Sequence, residues 1–256
     1  SIYCEMTHAA YPDFEGQNVF KTTYVHPIAF PKYELASFTT VNQTDSVALS
    51  LASYVPGKSV YIEWEGNGNV TQYALGETYK LFRAKSKPNT KVRVLVAEPD
   101  DKVKVFSISN VKMADADFTG MKEAKLITVS KAGLTTIKLP VAPNLTDLNL
   151  DENELTDVDL SPFPKLFSVS LIGNKIKTFD LSKAPSLNVA YLSSNKMKDI
   201  KLDNPMLWNL DLSNNELESV SLDKLPQLEQ LWLNANKLTK VDVSKNTNLR
   251  VLNVVG

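Results

Sequence analysis

Cysteine is almost absent from this chain, since Cys4 is the only one among 256 residues. One thiol cannot form an intrachain disulfide, so a disulfide-stabilised scaffold is excluded and no redox compartment is indicated. We expect Cys4 to be an inert thiol and not a lipidation site, because Tyr3 stands where a lipoprotein signal requires a small residue. The first residues also lack the basic start and apolar core of a signal peptide, so we expect a processed or trimmed chain.

Long apolar runs, excess charge and histidine are also scarce. No apolar run reaches the length of about 18 residues that a membrane-spanning helix requires, so no membrane insertion is predicted. The 28 basic and 29 acidic residues nearly cancel, which gives no indication of nucleic acid or anionic membrane as a partner. His8 and His26 are the only histidines, and no G-x-S-x-G, H-E-x-x-H or phosphate-loop motif occurs. We therefore expect no enzyme, cofactor or metal, and keep a carboxylate-based, glycan-acting enzyme as an alternative.

An apolar pattern with a period of about 21 residues is what the chain does contain. In its first clear copy, at 143–163, Leu148 and Leu150 are followed by a conspicuous asparagine, Asn153. The asparagine recurs at steps of 21, 21, 20 and 21 residues: Asn153, Asn174, Asn195, Asn215 and Asn236. This L-x-x-L-x-L-x-x-N-x-L pattern is typical of leucine-rich repeats and predicts a solenoid.

Two earlier copies keep the apolar positions but lack the asparagine. These positions are Ile127, Val129, Leu134, Ile137 and Leu139 in one copy, and Phe106, Ile108, Met113, Ala116 and Phe118 in the other. Ala132 and Val111 stand where the asparagine would be. Because terminal repeats of a solenoid are atypical, we predict about seven coils over 101–256, with 101–142 as degenerate coils that join the solenoid to what precedes it.

Each coil has a predicted inner and outer side. Leu148 and Leu150 are two residues apart, so a strand there directs both side chains into the core. The asparagine that follows is predicted to be buried and to hydrogen-bond the turns of its own coil and of the next coil. The rest of the coil contains Thr, Val, Asp and Ser before the next proline, so extended or 3-10 structure is expected on the convex side instead of an α-helix.

Short alternating runs precede the repeats and are typical of half-buried strands. They cover residues 46–53, 59–65, 69–75, 79–84, 91–97 and 103–109. Turn residues such as Pro56 and Gly57 separate them, so we predict a small antiparallel β-sandwich over 37–100. Residues 1–36 show no sustained period and are assigned to an N-terminal extension or to the first strand of the sandwich.

Two resemblances add to these predictions. The segment IEWEGNGNVTQY resembles the W-x-G-D-G-x-x-x-Y turn of PKD-like, immunoglobulin-type modules, which implies a core position for Trp64. The repeats, as in LDLSNNELESVSLDKLPQLEQLWLNANKLTKVDVSKNTNL, are similar to the bacterial internalin J-type and Bacteroidetes surface leucine-rich repeat families over 101–256. This resemblance implies an exported, cell-surface or secreted protein that binds other molecules. Internalins, however, often carry Cys at the asparagine position and place their immunoglobulin-like domain after the repeats.

The candidate ligand-binding residues lie on the predicted concave face, where strand parity exposes alternate side chains. They are Tyr191, Trp232, Ile172, Asp211, Asn149, Gln230 and Ser170. Large exposed aromatics are typical of binding hot spots, although single exposed aromatics are also ordinary on protein surfaces, and the β module could cover them. Our hypothesis is a monomeric, adhesin-like module that binds a protein or glycan; the alternative is a rigid spacer that presents the β module or another domain.

Two other polar groups are interpreted as solvent-facing. The run Asp147, Asn149, Asp151 matches the start of a calcium loop, but Glu152 and Val158 stand where that loop requires Gly and an acid. A set of lysines after the asparagines is predicted to form a solubilising outer face, with contact to an acidic glycan as the alternative: Lys175, Lys177, Lys196, Lys198, Lys201, Lys237 and Lys240. For the final run, 247–256, we expect either an exposed edge strand or continuation of the solenoid.

Overall fold

A computed structural model describes residues 33–41, 46–85, 87–98 and 102–255. The expectations for Cys4, His8 and His26 lie outside these ranges. Within them the regular structure is β-strand, apart from one 3-10 turn at Leu181–Lys183, and the fold class predicted from the sequence is confirmed.

Eight strands build an antiparallel sandwich at the start of the described chain. They are β1 (Tyr33–Thr40), β2 (Ser46–Ser53), β3 (Ser59–Glu63), β4 (Thr71–Ala74), β5 (Lys80–Lys85), β6 (Lys91–Val96), β7 (Val103–Ser109) and β8 (Met113–Asp117). One sheet has the order β4-β3-β6-β1-β8, and β5-β2-β7 belong to the other. The six alternating runs of the sequence correspond to β2 through β7.

Strand β1 overlaps the end of the segment that was assigned to an N-terminal extension or to the first strand of the sandwich, and the sequence pattern did not delimit it because its burial does not alternate. Four consecutive residues, 35–38, are buried, including the polar Ser37. The pairing of β1 with β6 shifts between Glu34 and Ala36, which marks a bulge. The bulge and the two-sided burial remove the period of two that the sequence analysis relied on.

The turn after β3 is fixed from inside the sandwich. Trp64 is buried and its Nε1 donates to the hydroxyl of Tyr73 at 3.1 Å. Glu63, whose side chain is 5% exposed, accepts from the Gly68 N–H at 2.6 Å and from Arg93 Nη1 at 3.2 Å. A buried carboxylate with a charged partner and a backbone donor therefore holds this loop against the sheet.

Nine further strands form the solenoid. They are β9 (Leu126–Ser130), β10 (Asp147–Asn149), β11 (Ser168–Ser170), β12 (Thr178–Asp180), β13 (Val189–Tyr191), β14 (Asp199–Lys201), β15 (Asn209–Asp211), β16 (Gln230–Trp232) and β17 (Val251–Asn253). Strands β12 and β14 pair with each other on the convex side, and the others lie parallel in the concave sheet. The short β12–β14 ladder and the 3-10 turn confirm the prediction of a convex side without α-helix.

Strand β7 belongs to both architectures. It pairs antiparallel with β2, where Ile108 faces Leu49, and parallel with β9, where Phe106 faces Ile127. A single ten-stranded sheet therefore runs from β5 in the sandwich to β17 at the end of the solenoid. The return segment of the first coil is β8, which pairs with β1 of the other sandwich sheet. The first coil is thus built from two sandwich strands.

Buried asparagine amides connect successive coils. Nδ2 of Asn174 donates to the carbonyls of Leu171 and Leu150, both at 3.0 Å, and Oδ1 accepts from the Leu155 N–H at 3.0 Å. Equivalent bonds are made by Asn153, Asn195, Asn215 and Asn236.

These amides reach the preceding coil, so the expectation that they would reach the next coil is wrong. The physical reason is the direction of the backbone bonds. The Leu150 N–H already donates forward to the Ser170 carbonyl at 2.9 Å. The Leu150 carbonyl accepts instead from the amides of Asn153 and Asn174, and its pairing requires an amide that points backwards.

A second set of amides was missed by the sequence analysis. Asn204 donates to the carbonyls of Leu181 and Ala184, and Asn246 donates to those of Leu222 and Leu225. Both side chains are buried on the convex side, two coils apart. The intervening coil has Leu225 at this corner, so the position lacks the regular recurrence that identified the first set.

In each of seven successive coils, the corner before the asparagine position uses a left-handed backbone conformation, including the two coils in which Val111 and Ala132 occupy that position. Seven residues at 20- or 21-residue steps have φ between 51° and 70°: Asn110, Lys131, Glu152, Gly173, Ser194, Asn214 and Ala235. Only one of them is glycine, although a side chain disfavours this conformation by about 1–2 kcal/mol. Asn110 and Asn214 tolerate this conformation, so the hydrogen bonds of the corner maintain a strained conformation in the other four coils, at Lys131, Glu152, Ser194 and Ala235.

Strand β17 is the edge of the ten-stranded sheet. Its Leu252 is 43% exposed, whereas the equivalent Leu231 in β16 is fully buried. Val254 and Val255 are exposed as well. The described part of the last coil therefore has an uncovered apolar side.

Gly120 allows the solenoid to pack against β1. A Cβ at this position would lie 2.1 Å from the carbonyl oxygen of Glu34 and 2.7 Å from Cα of Leu35. Both neighbours are backbone atoms, so a side chain here can be accommodated only if β1 or the turn after β8 moves. Glycine is thus required by contact and not by its backbone angles.

Replacing Gly120 by Ala should lower the free energy of unfolding by about 1–3 kcal/mol, as expected for overpacking. Chemical denaturation measures the change. Gly76→Ala is the matched control, because a Cβ there meets nothing closer than 3.8 Å, and it should be nearly neutral. Equal effects of the two substitutions would contradict the proposed contact.

The left-handed corners predict that replacing alanine by glycine and replacing glycine by alanine have opposite effects on the free energy of unfolding. Ala235→Gly should raise the free energy of unfolding by up to about 1 kcal/mol, because glycine adopts positive φ without steric penalty. Gly173→Ala should lower it by a similar amount. Thermal unfolding of both variants tests the pair, and a stabilising Gly173→Ala would show that these corners carry no strain.

Candidate functional site

The candidate site is the concave sheet of eight parallel strands, β7, β9, β10, β11, β13, β15, β16 and β17. In-register pairing aligns one side chain per strand in a central column, which consists of Ser107, Thr128, Asn149, Ser170, Tyr191, Asp211, Trp232 and Asn253. Five of the seven candidate residues belong to this column. Gln230 lies two positions before Trp232 on the same face, and Ile172 lies just beyond β11. All seven are partly exposed except Ser170, which is buried.

A groove of about 490 Å³ occupies the first part of this face, over β9 to β13. Four candidate residues line it: Asn149, Ser170, Ile172 and Tyr191. Asp211, Gln230 and Trp232 lie on the following strands, outside the groove. The structure thus divides the predicted site into a groove and a second patch, with Tyr191 at the boundary.

The carboxylate in the middle of the groove is used by the fold. Asp151 Oδ1 accepts from Ser170 Oγ at 2.6 Å and from the Ile172 N–H at 2.8 Å. Its Oδ2 accepts from Asn149 Nδ2 at 2.9 Å. Asp151 therefore fixes the groove wall, and the run from Asp147 to Asp151 forms a row along one strand instead of a cation loop.

The second patch places a carboxylate between two aromatic rings. Tyr191, Asp211 and Trp232 are register partners on the adjacent strands β13, β15 and β16. Asp211 Oδ1 accepts from Ser213 N at 2.9 Å and from Ser213 Oγ at 2.6 Å. Within the described ranges, Oδ2 of this carboxylate has no hydrogen-bond partner. The rest of its acceptor capacity faces the concave surface.

Beside this patch lies a strained polar pair. Asn209, which is 5% exposed, donates from Nδ2 to Gln230 Oε1 at 3.2 Å. Its Oδ1 is buried and accepts no hydrogen bond from the part of the chain that the structure describes. An unpaired buried acceptor disfavours the folded state by roughly 1–3 kcal/mol.

Two further aromatic residues lie next to the concave strands and were missed. Phe167 immediately precedes β11 and is 46% exposed, and Trp208 immediately precedes β15 and is partly exposed. Strand parity did not select them because they fall one residue outside the strands. Comparison of equivalent positions could have found them, since the other coils have Lys, Thr, Asn, Glu or Arg there.

The lysines of the outer face are partly neutralised. Lys175, Lys201 and Lys237 each form an ion pair with an acid exactly one coil earlier in register, namely Glu154 at 2.7 Å, Asp180 at 3.1 Å and Glu216 at 3.3 Å. Exposed pairs of this kind stabilise the fold only weakly, because water screens them. They reduce the positive field that an acidic glycan would require, and so favour the solubilising interpretation.

A shallow convex groove of about 260 Å³ lies beside β12 and β14. Its charged residues are largely paired within the chain: Lys201 with Asp180, and Lys183 with Asp159 at 3.3 Å. The Ser182 hydroxyl donates to Asp180 and, more than any other contact, lowers the pKa of that carboxyl, with burial opposing and Lys201 assisting.

Over the described ranges, no three His, Cys, Asp or Glu side chains are grouped so that they could hold a metal ion. No helix found there is long and apolar enough to cross a membrane.

Comparison with known proteins identifies the repeats. A family model described as leucine-rich repeats, two copies, matches residues 205–246. Among curated proteins no sequence matches the chain. The chain resembles the solved TLR13–ssRNA13 complex with 24% identity and a TM-score of 0.48, over 54% of this chain and 23% of that chain.

Two other solved structures are similar. The leucine-rich repeat domain of APL1B has 25% identity and a TM-score of 0.47, over 54% of this chain and 42% of that chain. The functional domain of InlJ from Listeria monocytogenes has 19% identity and a TM-score of 0.36, over 65% of this chain and 51% of that chain. This chain therefore spans about half or less of these proteins.

The pKa of Asp180 should lie below the usual Asp range, and Ser182→Ala should raise it more than Lys201→Met does. Carboxyl NMR titration measures both shifts. Because the folded pKa is the lower one, the stabilising contribution of Asp180 is present above about pH 3.9, the unfolded value. It is lost as the pH falls through the folded pKa. Lys183→Met, which removes a partner of Asp159, is the control and should leave Asp180 unchanged; a larger effect of Lys201→Met would reverse the assigned order of causes.

Proposed function

We infer that this leucine-rich repeat chain is a binding module that recognises a protein or a glycan on its concave face. Leucine-rich repeat domains generally bind proteins, and the sheet of eight strands measures roughly 34 Å across at about 4.8 Å per strand. The observation that carries the proposal is the central column. Tyr191, Asp211 and Trp232 are partly exposed there on adjacent strands, and the two hydrogen bonds that Asp211 accepts both go to Oδ1.

The fold supports recognition more directly than catalysis. Hydrogen bonds within the chain engage Asp151 in the groove, and a serine orients Asp211. No pair of carboxylates in the described concave face stands out as a general acid and base. Partly exposed aromatics beside oriented polar groups are typical of binding hot spots.

The β-sandwich favours a second candidate, a rigid spacer. Strand β7 joins the sandwich to the solenoid by backbone hydrogen bonds on both sides, so the two parts share one sheet. Such a junction would hold the sandwich at a fixed angle to the repeats. We propose that the sandwich is an immunoglobulin- or PKD-like module, a proposal supported by buried Trp64 and by the Glu63-anchored turn.

We further propose that the protein is exported to the surface of a bacterial cell or secreted. The support for this localisation is the resemblance of the 21-residue coils to bacterial surface leucine-rich repeat families. Protease treatment of intact cells, followed by detection of the solenoid, tests it directly.

The double substitution Tyr191→Ala, Trp232→Ala should abolish ligand capture and leave the melting temperature nearly unchanged, because both rings lie outside the core. Capture is measured on a glycan array and by pull-down from a host surface extract. Tyr79→Ala is the control, since Tyr79 is 60% exposed in the sandwich, away from the concave strands.

The outcomes separate the candidates. Loss of capture in the double variant and retention in the control supports the concave face. Capture that survives substitution throughout the central column favours the spacer. A large fall in melting temperature would show that the two rings are part of the core.

A further inference from the structure

The concave face carries no positive charge, although the chain has 28 Lys and Arg residues. The register defines three inward-facing columns: the central column and the positions two residues before and after it. None of these positions is Lys, Arg or His, while Asp147, Asp151 and Asp211 contribute three carboxylates. The three columns therefore contain carboxylates and no cationic side chain of their own that would repel a cationic ligand group.

Asp211 is the carboxylate best placed to receive such a group. Asp151 has both oxygens engaged within the chain. At Asp211 the two bonds from Ser213 converge on Oδ1, which orients the carboxylate and leaves Oδ2 without a partner among the described residues. An oriented acceptor with one unused oxygen requires little reorganisation on binding.

The flanking rings add a second attraction for a cation. Neighbouring strands lie about 4.8 Å apart, so the backbones that carry Tyr191 and Trp232 are roughly 10 Å apart, with Asp211 midway. A cation above Asp211 can then lie within about 6 Å of both ring centroids, the range of cation–π attraction. The Asp211 carboxylate and the two aromatic rings then attract the same cation.

One buried atom beside the triplet also favours a ligand that donates hydrogen bonds. Ser213 Oγ already donates to Asp211, and Asn209 Nδ2 already donates to Gln230. Among the buried polar atoms there, the one without a partner is an acceptor, Asn209 Oδ1, whose burial means that a ligand reaches it only after a neighbouring side chain moves. The donors Gln230 Nε2 and Trp232 Nε1 belong to partly exposed side chains, which water can reach. Guanidinium has five N–H donors and no acceptor, whereas a sugar hydroxyl needs both kinds of partner.

We propose that the triplet of Tyr191, Asp211 and Trp232 binds an arginine side chain of a protein ligand. The proposal rests on the proposed function, concave-face recognition, and specifies the partner as a polypeptide that presents a cationic side chain. The planar guanidinium stacks on aromatic faces and pairs with a carboxylate, which a lysine ammonium does less specifically.

The test follows the indole N–H signal of Trp232 in NMR spectra of the whole chain, assigned with Trp232→Phe. The probes are N-acetyl-arginine amide, its lysine analogue, its uncharged isostere N-acetyl-citrulline amide, and methyl glucoside. Arginine amide should shift the signal saturably and bind about tenfold more tightly than citrulline amide, within the range of a cation–π contact and an ion pair. Binding should weaken with added salt.

Asp211→Asn should reduce arginine affinity about tenfold while it keeps an oxygen that accepts from Ser213. Asp147→Asn is the matched control: it removes the same charge from the same face, three strands away at roughly 14 Å. That distance exceeds the Debye length of about 8 Å, so the control should bind arginine normally. Equal losses in the two variants would overturn the specific site.

Two further results would overturn the proposal: equal binding of citrulline and arginine, or a Trp232 signal that responds to methyl glucoside and not to arginine. The second would make the rings a sugar platform. The capture assay separates this failure from failure of the proposed function. If Tyr191→Ala, Trp232→Ala abolishes capture and Asp211→Asn leaves it intact, the concave face binds ligand but not through a cation.

Discussion

The hydrogen bonds of the buried asparagine amides are the constraint on which the solenoid depends. A coil must leave the sheet at a left-handed corner, and this turn takes backbone carbonyls such as that of Leu150 out of the strand ladder. Water does not reach these groups, so each needs a partner inside the chain. One amide per coil supplies hydrogen-bond donors to the carbonyls of two successive coils. Each coil is therefore needed to stabilise the coil that precedes it.

The elements that could be predicted from the sequence are those whose side chains recur with a fixed spacing. The leucine positions and Asn153 to Asn236 repeat because every coil packs on an equivalent neighbour. The direction of the amide bonds, however, depends on which carbonyls the backbone leaves unpaired, and spacing does not show this. Strand β1 lacks an alternating pattern because it contains a bulge and because both of its faces are buried, so that even the polar Ser37 is covered. The corner residues vary from Gly173 to Lys131, since the backbone conformation and not the side chain is what recurs there.

The candidate site shows the same division. Strand parity alone places Tyr191, Asp211 and Trp232 in one column, because in-register parallel strands align equivalent positions. Strand parity does not show which carboxylates are engaged. Asp151 and Asp211 both lie in columns of the concave face, and only their hydrogen bonds show that Asp151 is engaged through both oxygens and Asp211 through one. Strand parity does not identify Phe167 and Trp208 as exposed, because they precede the strands. The spacing of residues along the sequence thus predicts which side chains lie on the concave face. Which of their polar atoms are free to bind a ligand is known only from the contacts in the structure.

The strand shared by the sandwich and the solenoid also bears on how a repetitive chain avoids misfolding. Coils with nearly identical apolar patterns could dock one repeat out of step with little change in packing, since a shift of 21 residues places leucine on leucine. Strand β7 removes that degeneracy, because its other edge pairs with β2, which has no repeated counterpart. The sandwich therefore fixes the stacking register of the repeats. It specifies which coil is first, and each later coil stacks in order on the one before it.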